Sequence, residues 1–308
     1  MPSRPRVFLL TTSLLALVAT RSEVAWAVDG VLEINQDCAA TDTNAGCFTG
    51  DSPGFPITIA SSGSYRLTGN LVVASGTASA VEVAADDVTI DLNGFTLDGT
   101  GSSGSGIVVI GAKRNLEVRA GTIRSFGGDG IKAAGADSHA HRVIAVRVLS
   151  NQGDGIDFEW STSGRNHTIE GCTVNENGGA GIRAGSTSRV ERNTVRGSGG
   201  NGIEVGEDSV ISGNTVDGST LDGIQAHRDS LIAGNTVSQN LQDGISTAEN
   251  SSVIDNTISG NNLYGLRCGP NTGFRGNVFA NNNGSGDEHD CAAAVNMGAN
   301  LCDGAACL

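Results

Sequence analysis

"VERNTVRGSGGNGIEV" at 190–205, "ISGNTVDGSTLDGIQA" at 211–226 and "IAGNTVSQNLQDGIST" at 232–247 are three copies of one pattern, 21 residues apart. Each runs from an apolar residue through Asn-Thr-Val to Gly-Ile. Working outward, glycine followed by isoleucine or leucine recurs at 106–107, 130–131, 155–156, 181–182, 202–203, 223–224, 244–245 and 265–266. The steps are 24, 25, 26 and then 21 residues four times. Asn193, Asn214, Asn235 and Asn256 each lie ten residues before an apolar member of that series, and Asn277 follows at the same interval.

Within each copy apolar and polar residues alternate over three to five positions and then give way to Gly, Ser, Asn or Asp. That pattern predicts short strands joined by tight turns. A period of 21 leaves no room for a crossover helix, so successive copies must stack as coils, with equivalent segments ~4.8 Å apart as parallel strands. The chain has no proline between Pro56 and Pro270, as expected where every backbone N–H is needed by a neighbouring coil. Stacking turns repeats into columns. Ile131, Ile156, Ile182, Ile203, Ile224 and Ile245 form an inward column, as do Val195, Val216, Val237 and Ile258. Asn193, Asn214, Asn235, Asn256 and Asn277 form a structural ladder in which each amide can bond the next. The same position is Gly121, Val146 and Cys172 in the preceding coils. Asn151, Asn177, Ser198, Ser219, Asn240 and Asn261 line a second polar turn.

The stretch "ADDVTIDLNGFTLDGTGSSGSGIVV" at 85–109, followed by the Asn-Thr-Val and Asp-Gly-Ile coils, resembles the right-handed parallel β-helix repeat family, the pectate-lyase-like and NosD-type solenoids. The resemblance implies an all-β fold, a right-handed parallel β-helix with three sheets and about ten coils between short terminal caps. It also implies secretion and, very often, a carbohydrate ligand. It does not fix the activity, because function resides in sites grafted onto the fold.

The ends fit that picture. Residues 1–27 combine a basic start (Arg4, Arg6), an apolar run from Val7 to Ala19 and a small-x-small end at Ala25-Trp26-Ala27, the pattern of a secretory signal peptide. A cap segment at 28–56, the solenoid at 57–286 and a disulfide-closed cap at 287–308 would follow. Removing residues 1–27 takes three of 19 basic and one of 33 acidic residues, leaving 16 against 32, a net −16. Such a surface repels nucleic acid and anionic membranes and leaves neutral or cationic ligands. The expected product is a monomer outside the cell, at its surface or in a periplasm. Seven cysteines in a secreted chain suggest three disulfides and one free thiol. Spacing favours Cys38–Cys47, Cys268–Cys291 and Cys302–Cys307, with Cys172 a small buried hydrophobe.

Chemistry is sought where the coils depart from the period. From the Gly-Ile strand to the ladder position is 11 residues in the regular coils, but 14 from Ile107 to Gly121, 15 from Ile131 to Val146 and 16 from Ile156 to Cys172. The additions fall in one turn of three adjacent coils, around Lys113-Arg114, "GADSHAHR" and "STSGRNH", and such clustering often builds a binding surface. Beside them, the residue after each inward isoleucine faces out: Lys132, Asp157, Arg183, Glu204, Gln225, Ser246 and Arg267. Alternating charges on adjacent strands favour a salt-bridge ladder. Only the coil of "GDGIDFEW" (153–160) adds a second outward acid, Glu159, and then Trp160. The candidate catalytic set is therefore Asp157, Glu159, Lys132 and Arg183. The candidate substrate-binding set is Trp160 for stacking on a sugar ring, His139, His141 and His167 in the added loops, and Glu204. No resident cofactor is expected. Asp-Gly at 129, 154, 222 and 243 reads as turn chemistry, with calcium an option for stacked carboxylates. The tripeptide Asn-Thr-Val resembles the Asn-Thr-Asp of polygalacturonases, but valine replaces the acid, and no Asp-Pro-His-Asp of alginate epimerases occurs. Two readings stand: a lyase, hydrolase or epimerase acting on polysaccharide or cell-surface glycan along the N-terminal coils, or a non-catalytic adhesive solenoid.

Overall fold

A computed structural model describes residues 30–39, 46–74, 76, 78–133, 137–158, 164–283 and 288–307. The expected signal peptide at 1–27, Glu159 and Trp160 lie outside the described residues. The fold is a parallel β-helix. Each coil contributes one strand to each of three faces. The first face is an 11-stranded parallel sheet; the second and third together form a 22-stranded sheet, because Leu116–Arg124 and Arg142–Leu149 run unbroken from one to the other. One regular coil comprises Ile203–Val205 on the first face, Val210–Ser212 on the second and Thr215–Asp217 on the third. The next coil pairs in register throughout, Ile203 with Ile224, Ile211 with Ile232 and Val216 with Val237. Among the described residues no helix is long and apolar enough to cross a membrane.

The register follows from what the period places inside. Ile203, Ile211 and Val216 and their equivalents are fully buried, so a one-residue slip would turn an entire apolar column to water. The glycine before each inward isoleucine allows a close approach. A Cβ on Gly223 would fall on the Val237 side chain and within 2.6 Å of the Gly244 carbonyl oxygen. That is why the Gly-Ile pair is the most regular mark in the chain.

All three corners carry a polar ladder. Between the second and third faces, the Asn214 N–H donates to Asn235 Oδ1 (2.9 Å) and Asn214 Nδ2 to the same atom (3.0 Å), and the bonds repeat coil by coil from Asn193. The ladder runs beyond Asn277, which donates to Asn300 Oδ1 at 2.9 Å. The residue before each ladder asparagine turns the corner in the left-handed region, as Gly213 (φ 64°) and Gly234 (φ 64°) show. Between the third and first faces, Asn151 with Asn177 and Asn240 with Asn261 and Asn282 do the same. The third corner, unread in the sequence, is a hydroxyl ladder: the N–H of Ser188 donates to Ser209 Oγ, that of Ser209 to Ser230 Oγ, and that of Ser230 to Ser251 Oγ. Together the ladders satisfy corner N–H groups that have no strand partner, each of which would cost about 1–3 kcal/mol if buried alone.

Rungs also occur in the segments read as caps. Val31–Ile34 pairs in parallel with Gly63–Leu67. His289–Asp290, Val295–Asn296 and Leu301–Cys302 add a last strand to each face, before Ala305–Ala306 folds back antiparallel on Leu301–Cys302. Disulfides join Cys38 to Cys47, Cys268 to Cys291 and Cys302 to Cys307, and Cys172 is buried and unbonded.

Candidate functional site

On the first face Lys132, Asp157, Arg183, Glu204, Gln225, Ser246 and Arg267 stand in consecutive register. Their charges touch. Lys132 Nζ lies 3.4 Å from Asp157 Oδ2, and Arg183 Nη1 lies 3.8 Å from Asp157 Oδ1. Arg183 Nε lies 3.5 Å from Glu204 Oε2. Asp157 is only 5% exposed although it points away from the core; the cations on either side cover it.

The Asp-Gly aspartates do more than turn the chain. One carboxylate oxygen of each accepts a backbone N–H from the next coil: Asp154 N–H to Asp129, Ala180 N–H to Asp154, Asp243 N–H to Asp222 and Tyr264 N–H to Asp243. The other oxygen reaches a first-face cation in three cases. Asp129 holds Lys132 at 2.8 Å, Asp154 holds Arg183 at 2.6 Å, and Asp243 holds Arg267 at 3.0 Å. Asp157 therefore shares Lys132 with Asp129 and Arg183 with Asp154. Sequence reasoning left Asp129 and Asp154 out of the site; the signal was present, since an Asp three residues before Lys132 reaches the same face.

Burial sets the proton affinities. It pushes the Asp157 carboxyl above its ordinary value, and the charges of Lys132 and Arg183 pull back only part of the way. Burial raises Asp154 as well, against the attraction of Arg183. For Lys132 and Arg183 burial works against the charged form, but the carboxylates outweigh it and both are raised. Both cations stay protonated, so what they offer beside Asp157 is positive charge. The cluster can neutralise negative charge beside one carboxyl that takes up a proton more readily than an exposed aspartate would.

The enlarged turns stack as expected where they are described, with Arg114, His139, Arg165 and Ser186 bridged in parallel across four coils. His139 is half-buried, with Nδ1 2.7 Å from the Asp137 carbonyl oxygen. His141 and His167 correct the expectation of loop-surface binding residues, because both are fully buried. They occupy the corner that Ser188 and Ser209 fill further on. His141 Nδ1 accepts the Leu116 N–H (3.1 Å), His167 Nδ1 accepts the His141 N–H (3.3 Å), and the His167 N–H donates to Ser188 Oγ (3.2 Å). Their rings stack 5.3 Å apart, and His167 packs 4.9 Å from Phe158. Burial lowers His141 to about 4 and His167 to about 3, so both are neutral with the proton on Nε2.

Metal-ligand geometry is sparse. Among the described residues, one group of three or more potential ligand atoms lies within 4.8 Å of one another, His289, Cys302 and Cys307, and its two sulfurs are joined in a disulfide.

Comparison with known proteins places the fold. A family model described as "Right handed beta helix region" matches residues 56–209 and 183–306. Among solved structures, the A-module of mannuronan C-5 epimerase AlgE4 from Azotobacter vinelandii is similar over 74% of this chain and 70% of its own, with 19% identity and a TM-score of 0.56. The Dettilon tailspike protein (gp208) is similar over 81% of this chain and 56% of its own, with 13% identity and a TM-score of 0.54. Pectate lyase Pel9A is similar over 90% and 71%, with 17% identity and a TM-score of 0.50. No curated protein sequence matches the chain.

Proposed function

The chain belongs to the right-handed β-helix family, and from that premise we propose that it is a secreted protein that binds polysaccharide along its first face and modifies it at Asp157. One observation carries the reading: Asp157 is a nearly buried carboxyl, raised in proton affinity and held between Lys132 and Arg183, on the rung where the added turns are longest. Lyases, epimerases and hydrolases of glycans all move a proton at the sugar, and a carboxyl poised above its ordinary pKa suits that task. Lys132 and Arg183 steady the charge that develops beside it, and Asp129 and Asp154 position those cations. Glu159 and Trp160, next in the chain, supply a second acid and a stacking ring in this proposal. Structural neighbours named for action on mannuronan and pectate support a polysaccharide ligand in the general sense. Three disulfides and the apolar leader at 1–27 support export.

The test is a panel of uronate, neutral and amino-sugar polysaccharides, each with calcium and with a chelator, against the mature chain and Asp157→Asn. The expected result is turnover of one glycan, reduced about 100-fold or more in the variant. Turnover indifferent to Asp157→Asn removes the site. A second reading, adhesion without turnover, rests on the mutual pairing of the cluster's charges; binding without any product in the wild-type chain selects it.

A further inference from the structure

The pairing of Asp-Gly aspartates with first-face cations is broken once. Asp129 has Lys132 three residues on, and Asp154 and Asp243 have Arg183 and Arg267 on the next rung. Asp222 sits in the same column, is 8% exposed, and spends one oxygen on the Asp243 N–H (3.0 Å) as its equivalents do. Its other oxygen meets no cation among the described residues. The two positions that would supply one are Gln225, three residues on, and Ser246, on the next rung. Arg267 acts on Asp222 only through space, being bound to Asp243. The neighbouring polar groups are also committed: Asn201 Nδ2 donates to Gln225 Oε1 at 2.7 Å and to Glu204 Oε2 at 3.2 Å.

Asp222 is nine-tenths buried and only one of its carboxylate oxygens is met by the chain, so its charge is costly to keep. Burial, with Asp243 nearby, raises it to about 6. Its equivalents offset that cost with an ammonium or guanidinium from the chain itself. We propose that Asp222, with Gln225 and Ser246, is a subsite for a primary ammonium group, so that the polysaccharide bound along the first face is an amino-sugar polymer with free amines. This deepens the function proposed above and rests on it. The subsite lies three rungs from Asp157, ~14 Å at ~4.8 Å per rung, on the same face and therefore along one extended chain of sugars. Around it the face is acidic. Asp129, Asp154, Asp157, Glu204, Asp222 and Asp243 outnumber Lys132, Arg183 and Arg267, and each of those cations is already held by a carboxylate. A uronate chain would find no unpaired cation among these, whereas an amine finds an unpaired carboxylate.

The experiment compares a glucosamine hexamer with its fully N-acetylated counterpart by calorimetry on the mature chain. Asp222→Asn and Gln225→Lys are tested beside it. Asn keeps the acceptor for the Asp243 N–H, and Gln225→Lys recreates the Asp129–Lys132 spacing, so that the seat is filled from within. The expected result is at least tenfold tighter binding of the free amine at pH 7, a preference removed by either variant. Bound hexamer should also move the Asp222 carboxyl NMR titration from about 6 to lower pH, since a cation favours the ionised form. Equal binding of the two hexamers, a preference that survives both variants, or an unmoved titration overturns the subsite. If another glycan in the panel is processed in an Asp157-dependent manner while the free amine is ignored, the subsite falls and the proposed function stands. If no glycan binds, both fall.

Discussion

The regular coils, from Ile182 to Ala280, and the enlarged coils, from Ile107 to Cys172, solve the same corners by different means. In the regular coils two corners are ladders of like short polar groups, Asn214 to Asn235 at one and Ser209 to Ser230 at the other, while the third mixes Ser198 and Ser219 with Asn240 and Asn261. Such a ladder needs its groups in register rather than coils of equal length, since Asn151 meets Asn177 across 26 residues and Asn277 meets Asn300 across 23. In the enlarged coils the asparagine corner holds Gly121, Val146 and Cys172, and the serine corner holds His141 and His167. The asparagine corner itself is not lengthened, since the ladder position lies three residues past Val118, Val143, Ile169 and Val190 alike. An imidazole reaches further from the backbone than a hydroxyl, so it can still accept an N–H across a wider turn. The lengthened turn is the one where imidazoles stand in place of hydroxyls, and the candidate site lies on the face that leads into it, while the Asn151–Asn177 rung persists at the corner before that face.

Acid should separate the two regions most strongly. His141 and His167 are held at about 4 and about 3 in the fold against an ordinary 6.5. Between those values the unfolded chain binds more protons than the native one, so stability falls as pH falls below 6.5. By pH 5 the two histidines together cost of the order of 4 kcal/mol, at about 1.4 kcal/mol per unit for each. Asp222 works in the opposite sense. Raised to about 6 from 3.8, it favours the native state by about 1.4 kcal/mol on going to pH 5. Hydrogen exchange at pH 7 and pH 5, corrected for intrinsic rates, should show protection lost at Leu116, His141 and Arg142–Ile144 and retained across 210–240. Uniform loss along the solenoid would contradict the division, as would a His141→Asn/His167→Asn chain with an unchanged acid limb.

A smaller contrast lies at the asparagine corner itself. Asn235→Ala removes the oxygen that takes two donors from Asn214, at 2.9 and 3.0 Å, and should cost about 3 kcal/mol because a buried N–H is left without an acceptor. At the equivalent position in the enlarged coils, Val146→Ala removes only packing and should cost about 2 kcal/mol or less. Denaturant midpoints at constant m-value decide the order. A Val146→Ala effect larger than that of Asn235→Ala would mean that the ladder is incidental to apolar stacking.

These differences mark what could be read from residues alone. The period, the inward isoleucines and the asparagine ladder follow from spacing, because every coil repeats the same local physics. The serine ladder was equally periodic, at Ser188, Ser209, Ser230 and Ser251, and was missed because isolated serines in turns carry little local signal. The histidines were misread for a different reason: an added loop suggests exposure, and only the stacked register shows that His141 and His167 replace serines in a ladder. Asp157 was legible as an outward acid. Its burial was not, since that depends on Lys132 and Arg183 from two other coils lying over it.

Cys172 stands at the border between the two regions and offers the finest test. Its N–H already donates to Asn193 Oδ1 at 2.9 Å, and its sulfur lies 3.5 Å from the Val143 carbonyl oxygen, the place that Asn193 Nδ2 takes against Ile169. The thiol is unbonded, buried and raised to about 11 by burial, so it contributes packing and little else. Cys172→Asn should extend the ladder by one coil, its amide nitrogen donating to Asn193 Oδ1 and to Val143. The expected gain is within about 1 kcal/mol, the net worth of the two added hydrogen bonds once desolvation and the lost thiol packing are subtracted, and it should appear as a rise in melting temperature of a few degrees or less. Cys172→Ala, which leaves a void and no ladder, should lose about 1 kcal/mol. If Asn and Ala prove equally destabilising, the corner beside the enlarged coils has closed around an apolar group and the regular ladder ends at Asn193 by packing rather than by accident of sequence.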